Sequence, residues 1–147
     1  MWRKSPILGL CLLLLVGVLS GCGPQGSGSD YSQVELSEAP AVLQSYYERT
    51  RDLPGLFFWQ QDQAVYLLLV GGQCPAPGMR VEVLQVGSAG QRRDGVRVLS
   101  ILRPGPGAST HPYAVLRMRA SANQKYEARL SLGTGEVLEL SGMRVYD

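Results

Sequence analysis

Two side chains in this sequence are suited to nucleophilic chemistry. Cys74 carries a thiol, and His111 is the single histidine of the chain. The two could form a nucleophile and base pair, because such pairs assemble in space and need no fixed spacing in sequence. Both lie in segments rich in proline and glycine, at 74–78 and 104–112, a composition typical of turns. The alternative is two loop residues with local roles, and on balance the sequence predicts a protein that is not an enzyme.

Metal and phosphate chemistry have little support in the sequence. A zinc site of the usual composition needs several His or Cys ligands, and Cys74 and His111 do not supply them. The glycines at 71–72 and 105–107 lack the spacing of a phosphate loop and precede no predicted helix. We therefore expect no metal and no cofactor.

Cys22 is suited to a different reaction, the addition of lipid to its thiol. Arg3 and Lys4 precede an apolar run at 7–19, the arrangement of a secretory signal, and the run is short for a bilayer span. Leu-Ser-Gly-Cys at 19–22 resembles the bacterial lipobox. We expect cleavage before Cys22 and a lipid anchor that holds the chain on the extracytoplasmic face of the cell membrane. The alternative is an uncleaved anchor with an incidental cysteine.

Removal of this signal peptide, residues 1–21, leaves 126 of the 147 residues, enough for one domain. Residues 22–36 begin with a Gly/Ser-rich stretch and are expected to be a flexible leash, followed by a folded domain at 37–147. The loss of Arg3 and Lys4 lowers the number of basic residues from 14 to 12, which equals the number of acidic ones. A neutral chain without a basic stripe is not expected to bind nucleic acid.

Cys74 has no intramolecular disulfide partner in this scheme, because Cys11 leaves with the signal peptide and Cys22 carries lipid. Three roles stay open for its thiol: a small buried apolar group, an intermolecular disulfide or a reactive nucleophile.

One helix is predicted, at 39–52. Ser37 is a possible N-cap, and Pro40 would lie in the first turn, where a missing N–H costs little. Apolar side chains recur at steps of three and four residues and would form one stripe that needs a sheet to cover it. The stripe consists of Val42, Leu43, Tyr46, Tyr47 and Thr50.

After Pro54-Gly55 the apolar residues come in short runs, several of them with period two, which indicates strands. The run at 64–70 is continuously apolar and should be a central strand with both faces covered. The glycines at 133 and 135 predict a hairpin. The predicted strands span residues 64–70, 79–86, 96–102, 113–118, 126–132 and 136–140, with a short last strand at 143–146.

This pattern predicts a mainly β domain of the α+β class. Six or seven strands would form a curled antiparallel sheet or a small β-sandwich, with the N-terminal helix packed on it.

From residue 67 to 118 the order of features resembles a known family. A buried strand ends in LLVGGQ at 68–73, and the turn Ala-Pro-Gly leads into MRVEV at 79–83. LRPGPG follows at 102–107 and HPYAVLRM at 111–118. The order is similar to the C-terminal domain of the protease complex subunit PrcB family, although that family has a Thr-Gly-Gly-Tyr-like turn where this chain has Ala-Pro-Gly-Met. The resemblance implies an exported or lipid-anchored noncatalytic subunit that associates with and stabilises a secreted serine protease.

The leading hypothesis is a lipid-anchored binding module for an exported protein partner. Its contact surface would combine two turns and an open sheet edge that accepts another strand. The candidate residues are Pro77, Gly78, Met79, Pro104, Gly105, Pro106, Gly107, His111, Pro112 and Tyr113. For Pro112 and Tyr113 the alternative is structural: the proline fixes the start of a strand and the tyrosine plugs the end of the sheet.

A second hypothesis is a lipoprotein that binds a small ligand or the cell wall. Its aromatic cleft would be lined by Phe57, Phe58, Trp59 and Tyr113. The concentrated aromatic run at 57–59 is equally compatible with core packing.

Overall fold

The computed structural model describes residues 30–74, 78–89, 95–105, 109–121 and 124–147. Within these ranges the chain forms one α-helix, α1 (Ala41–Thr50), and eight strands. The strands are β1 (Tyr31–Val34), β2 (Pro54–Gln61), β3 (Ala64–Gly71), β4 (Met79–Ser88), β5 (Gly95–Pro104), β6 (Tyr113–Arg119), β7 (Lys125–Ser131) and β8 (Val137–Arg144). They form one sheet in the order β1-β6-β3-β2-β8-β7-β5-β4, which curls into a nearly closed barrel.

The prediction of a mainly β domain with one helix is confirmed, but the details of the sheet differ. There are eight described strands instead of six or seven, and of the two predicted arrangements the strands form a single curled sheet and not a sandwich. The sheet is mixed, because β2 pairs with β8 and β5 pairs with β7 in parallel. Strand β2 was not among the predicted strands.

β3 is covered on both faces, as its continuous apolar run predicted. Leu67 and Leu69 face the inside of the barrel, whereas Leu68 and Val70 face α1, and all four are at most 1% exposed. The interior cluster consists of Leu56, Val65, Leu67, Leu69, Val81, Val86, Val96, Val98, Leu102, Ala114, Leu116, Met118, Tyr126, Ala128 and Leu130. The helix-side cluster consists of Ala39, Leu43, Tyr47, Phe57, Leu68, Val70, Val115 and Val145.

The helix packs its predicted apolar stripe against the outer face of β2, β3 and β6. Leu43 and Tyr47 are buried, and Val42 and Tyr46 are partly buried beside them. The expectation that Ser37 caps this helix is wrong: Pro40 is the residue that precedes its first turn. Ser37 instead lies in a short 3-10 turn, Leu36–Glu38.

The predicted leash at 22–36 is wrong from Tyr31 onward. Tyr31 to Val34 form β1, an edge strand in which Val34 lies opposite Val115 of β6. The polar sequence of this strand gives no apolar pattern of its own, so the pairing with β6 decides its conformation. Residues 1–29 lie outside the described residues. They include the predicted signal peptide, Cys22 and the first part of the predicted leash.

β8 replaces the two strands predicted at 136–140 and 143–146. Its first part pairs with β7 in the predicted hairpin, and from Gly142 onward it pairs with β2 instead. A Cβ atom on Gly142 would lie 2.9 Å from Cβ of Tyr126 and 3.0 Å from its carbonyl oxygen. Glycine therefore allows β8 to pass close to β7 while it changes partner.

Candidate functional site

The two turns of the predicted contact surface meet at one end of the barrel. Met79 lies opposite Pro104 in the β4–β5 pair, and the N–H of Gly105 donates to the carbonyl of Gly78 at 3.0 Å. On the other side of Met79, the N–H of Ser109 donates to its carbonyl at 3.3 Å. The start of β4 is thereby fixed between the end of β5 and the segment that leads into β6. Pro77, Pro106 and Gly107 lie outside the described residues.

This meeting point is also where the barrel fails to close. β1 and β4 are the two ends of the sheet order, and in the described part of the chain only the isolated bridge at Met79 continues the pairing beyond β4. β1 covers β6 only from Val115 to Met118, so the edge of β6 at Tyr113 and Ala114 is left uncovered by β1.

The unpaired side of β4 carries backbone groups that face the gap. Met79 directs its carbonyl to Ser109, away from β5. Because the backbone groups of successive residues point to opposite sides of a strand, those of Val81 and Val83, two and four residues after Met79, also face away from β5. A β-bulge between Val83 and Gln85 ends this regular stretch, and Leu84 in the bulge is 50% exposed.

A groove of about 360 Å³ lies along this edge and is called the β4 groove below. Its apolar side includes Val81 and Ala114, which are buried, and Met79 and Val83, which are partly exposed. Gln33 of β1 lies opposite Leu116, a member of the interior cluster, and yet is exposed. The inner face of the edge strand β1 is therefore open to solvent at this position. The groove is lined by Gln33, Val34, Glu35, Met79, Arg80, Val81, Glu82, Val83, Ser109, Pro112, Tyr113, Ala114 and Val115.

The two rims of the β4 groove differ in charge. On the β4 rim, Glu82 accepts from Arg80 at 3.1 Å and from Arg103 at 3.5 Å, so its charge is compensated. On the β1 rim, Glu35 lines the groove, and its backbone N–H donates to the carboxylate of Glu38 at 2.9 Å. Among the described residues, no basic side chain forms an ion pair with Glu35 or with Glu38.

His111 is directed toward α1. Its Nε2 lies 2.8 Å from Oδ1 of Asp52, its Nδ1 lies 3.0 Å from Oγ1 of Thr110, and its side chain is 17% exposed. Its carbonyl accepts a hydrogen bond of 2.6 Å from the hydroxyl of Tyr47. Burial raises the pKa of that Tyr47 hydroxyl, with a further contribution from Tyr113 beside it. His111 therefore joins the end of the helix to the segment before β6.

Cys74 and His111 do not form the hydrogen-bonded pair that nucleophilic catalysis would use. The nearest acceptor of the Cys74 thiol is the carbonyl of Gly72, at 3.9 Å, and the side chain packs against the interior cluster. Burial raises the pKa of the thiol, which disfavours the reactive thiolate. Both ring nitrogens of His111 are engaged by Asp52 and Thr110. This geometry favours a buried apolar role for Cys74.

Pro112 and Tyr113 have structural contacts at the start of β6. The buried Pro112 accepts a hydrogen bond from the N–H of Gly71 at 2.8 Å. The Tyr113 ring packs edge-on against Tyr47, with the ring centroids 5.0 Å apart. The backbone of Pro112 and the ring of Tyr113 thus fix the start of the strand, and the uncovered edge of β6 at Tyr113 borders the β4 groove.

The four aromatic residues of the second hypothesis do not line one cleft. Successive residues of β2 face opposite sides of the sheet, so Phe58 packs against the interior cluster and its ring contacts Tyr126. Phe57, Trp59 and Tyr113 pack on the helix side. The run at 57–59 is mainly core in this fold: Phe57 is buried, and Phe58 and Trp59 are partly buried.

A larger and more open concavity, of about 850 Å³, lies away from these residues. It is bordered by the start of β1, the turn between β2 and β3 and the end of β6, and most of its lining side chains are polar. None of the predicted contact residues lines it.

The described residues contain no group of three or more His, Cys, Asp or Glu side chains arranged to hold a metal ion. The same residues include no helix with the length and apolar character needed to cross a bilayer.

Comparison with protein-family models, with curated protein sequences and with solved structures finds no significant match to this chain. The resemblance to the PrcB family therefore stays a prediction.

The sequence pattern missed part of the β4 groove. A strand was predicted at 79–86, but its alternation carries no signal that β4 lies at the edge of the sheet. Gln33 and Glu35 were assigned to the leash, because a four-residue polar strand has no local signature.

Proposed function

We propose that this chain is an exported, lipid-anchored, noncatalytic module that binds a protein partner outside the cytoplasm. The anchor rests on the signal-like segment and on Cys22, which follows a lipobox-like sequence. A protein partner is supported because the β4 groove, which contains Met79, Pro112 and Tyr113 of the predicted contact surface, borders an unpaired strand edge, and such edges pair with other chains.

One observation carries the proposal. Predicted contact residues from separate parts of the sequence, Gly78, Met79, Pro104 and Gly105, meet beside the junction at which the barrel is unclosed. A barrel without a binding role gains stability from closing its last pair of edges, because closure removes exposed backbone groups. The open junction therefore supports a role in binding.

The experiment is isolation of the tagged chain from membranes after mild crosslinking, with mass spectrometry of the proteins that accompany it. We expect a stoichiometric partner that is lost in Arg80→Glu, which replaces a positive charge on the β4 rim of the groove with a negative one. The matched control is Arg129→Glu on the outer face of β7, where the arginine is 52% exposed compared with 47% for Arg80. Recovery of the chain alone, or equal loss in both variants, would contradict the proposal.

The anchor is tested in the same preparation. Replacement of Cys22 by serine removes the thiol that receives lipid, so Cys22→Ser should abolish labelling with a clickable palmitate analogue and release the chain from the membrane fraction. Cys74→Ser is the control and should leave both unchanged. Persistent membrane attachment of Cys22→Ser without label would favour an uncleaved N-terminal segment as the anchor.

An exported serine protease is the first partner to look for, because the PrcB resemblance implies one. Serine proteases carry an activated nucleophile, so a fluorophosphonate probe should label a protein in the crosslinked material. If a stoichiometric partner is recovered but the probe does not label it, the partner is not an active serine protease, and the proposed binding role still stands.

A further inference from the structure

The start of β1 is the point at which the predicted leash enters the barrel. We propose that this end of the barrel rests on the phosphate groups of the membrane surface through Arg117 and Arg119, so that the β4 groove faces away from the bilayer. This inference rests on the lipid anchor of the proposed function and specifies how the anchored domain is oriented. The end formed by the start of β1, the turn between β2 and β3 and the end of β6 is called the anchor end below.

The position of Cys22 limits how far the anchor end can lie from the bilayer. Cys22 precedes Asp30, the first described residue, by eight positions. A chain of eight residues spans at most about 28 Å when it is fully extended, and a Gly/Ser-rich coil of that length has an end-to-end distance of about 16 Å. A lipid on Cys22 therefore keeps the start of β1 near the headgroups, whichever path the leash takes.

The β4 groove lies at the other end of the barrel. β1 runs from Tyr31, opposite Met118 near the end of β6, to Val34, which lines the groove. β6 runs in the opposite direction, from Tyr113 at the groove to Arg119 at the anchor end. Because each further residue lengthens a strand by about 3.3 Å, the two ends of β6 are roughly 20 Å apart. A barrel that rests on its anchor end thus presents the β4 groove to the extracytoplasmic space.

Two arginines of the anchor end are suited to bind phosphate groups. Arg117 and Arg119 are exposed, and both border the concavity of about 850 Å³ at this end. Their neighbours in β6, Leu116 and Met118, belong to the interior cluster, so the arginines lie on the outer face of the strand. Among the described residues, no carboxylate forms an ion pair with either arginine. Their guanidinium groups are thus available for paired hydrogen bonds to phosphate oxygens.

The acidic residues of the anchor end limit the strength of this contact. Asp30 and Asp62 border the same concavity, so the surface is not basic overall and its attraction to a membrane is weak. A strong attraction is not needed, because the leash already holds the domain at a high effective concentration beside the headgroups. The arginines then select one orientation of a domain that is at the surface in any case. Tyr31, which is 37% exposed beside the leash, favours the same orientation because tyrosine prefers the membrane–water interface.

Fluorescence quenching by a nitroxide on lipid headgroups measures the orientation. The full lipidated chain is reconstituted into vesicles of equal parts phosphatidylglycerol and phosphatidylcholine, with a nitroxide-headgroup lipid added or omitted. A fluorophore is attached to Gln63→Cys in the turn between β2 and β3, or to Thr134→Cys in the turn between β7 and β8, both with Cys74→Ser. Both positions are exposed and uncharged.

The two fluorophores report on opposite ends of the barrel. Gln63 borders the anchor end. β7 runs parallel to β5, and β5 ends at Pro104 opposite Met79, so the turn that follows β7 lies at the groove end. Quenching should be about threefold stronger at position 63 than at position 134, because a headgroup nitroxide quenches only at close approach and the arginines favour the anchor end. Equal quenching at the two positions would overturn the inference.

A charge variant separates the arginines from the leash. Arg117→Gln/Arg119→Gln keeps the leash but removes both guanidinium groups, and should lower the ratio of quenching about twofold. Salt at about 0.5 M should have the same effect in the unsubstituted chain. The control Arg49→Gln/Arg103→Gln removes two exposed arginines that do not border the concavity, and should keep the ratio. A ratio that is unchanged in Arg117→Gln/Arg119→Gln, or equally lowered in the control, would contradict the role of these arginines.

These outcomes are distinguishable from failure of the proposed anchor. If palmitate labelling at Cys22 is found but the two positions are quenched equally, the orientation fails and the anchor remains. If Cys22 carries no lipid, the anchor fails, and the inference that rests on it fails as well.

Discussion

The hydroxyl of Tyr47 donates a hydrogen bond of 2.6 Å to the backbone carbonyl of His111. Tyr47 lies in α1, and His111 lies just before β6, 64 residues further along the chain. The helix thereby holds the segment that leads into the uncovered edge of β6. Tyr47 thus links the helix directly to the segment that borders the candidate site.

Removal of this hydroxyl should destabilise the domain. Tyr47→Phe leaves the His111 carbonyl without that donor and should lower the free energy of unfolding by about 1 kcal/mol. Urea unfolding followed by circular dichroism measures it. Tyr46→Phe, on the same helix face and without a hydrogen bond from its hydroxyl among the described residues, is the control and should cost less than about 0.5 kcal/mol. Equal losses in the two variants would contradict a specific contribution from the Tyr47 hydrogen bond.

The raised pKa of Tyr47 predicts a loss of stability at alkaline pH. Burial raises its pKa above the ordinary value of about 10, so the unfolded chain loses this proton before the folded one. The contribution of protonated Tyr47 to the free energy of unfolding is complete below about pH 10 and is lost as the pH rises through the pKa of the folded state. Burial shifts the pKa of Tyr126 in the same direction. Stability measured between pH 8 and pH 11 should therefore fall less steeply in Tyr47→Phe; an unchanged slope would refute the role of Tyr47.

β3 should be sensitive to truncation on both faces. Leu67 faces the barrel interior and Leu68 faces the helix, and they are 1% and 0% exposed. Replacement of either by alanine should lower the free energy of unfolding by about 2–5 kcal/mol. Leu53→Ala, at a side chain that is 73% exposed, should change it by less than about 0.5 kcal/mol. A small effect at Leu67 alone would mean that the barrel interior is not packed.

Gly142 should not tolerate a side chain. A methyl group there would lie 2.9 Å from Cβ of Tyr126 and 3.0 Å from its carbonyl oxygen, so β8 or β7 must shift. We expect Gly142→Ala to cost about 1–3 kcal/mol in thermal or urea unfolding. In Gly87→Ala the nearest atom to the new methyl is the end of the Gln85 side chain, at 4.0 Å, and stability should be retained. A neutral Gly142→Ala would indicate that β8 does not pass close to β7.

Cys74 should react slowly with alkylating reagents. Burial raises the pKa of its thiol, and the thiolate is the reactive form. Iodoacetamide at pH 8, with the modified peptide quantified by mass spectrometry, should label Cys74 several-fold faster in urea than in the native protein. Equal rates would indicate an activated thiol and would revive the nucleophile that the sequence left open.

Local patterns in the sequence determined which segments form elements and which side chains turn inward. The apolar run of β3, the alternation of β4 and β7, the hairpin after Ser131 and the stripe of α1 all follow from side-chain periodicity, which neighbouring residues express by themselves. The same patterns predicted a mainly β domain with one helix. The lipid anchor on Cys22 was read from the sequence alone and stays a prediction.

Strand partners were decided only by the tertiary structure. Periodicity states which face of a strand is apolar, but not which strand lies beside it, so β1, the parallel pairs and the change of partner at Gly142 could not be predicted. The candidate site depends on the same information. Met79 and Tyr113 were recognised as residues of interest, but the groove between them exists because β1 and β4 are the two unpaired ends of one curled sheet. Backbone pairing between segments distant in sequence sets that arrangement, and no local pattern encodes it.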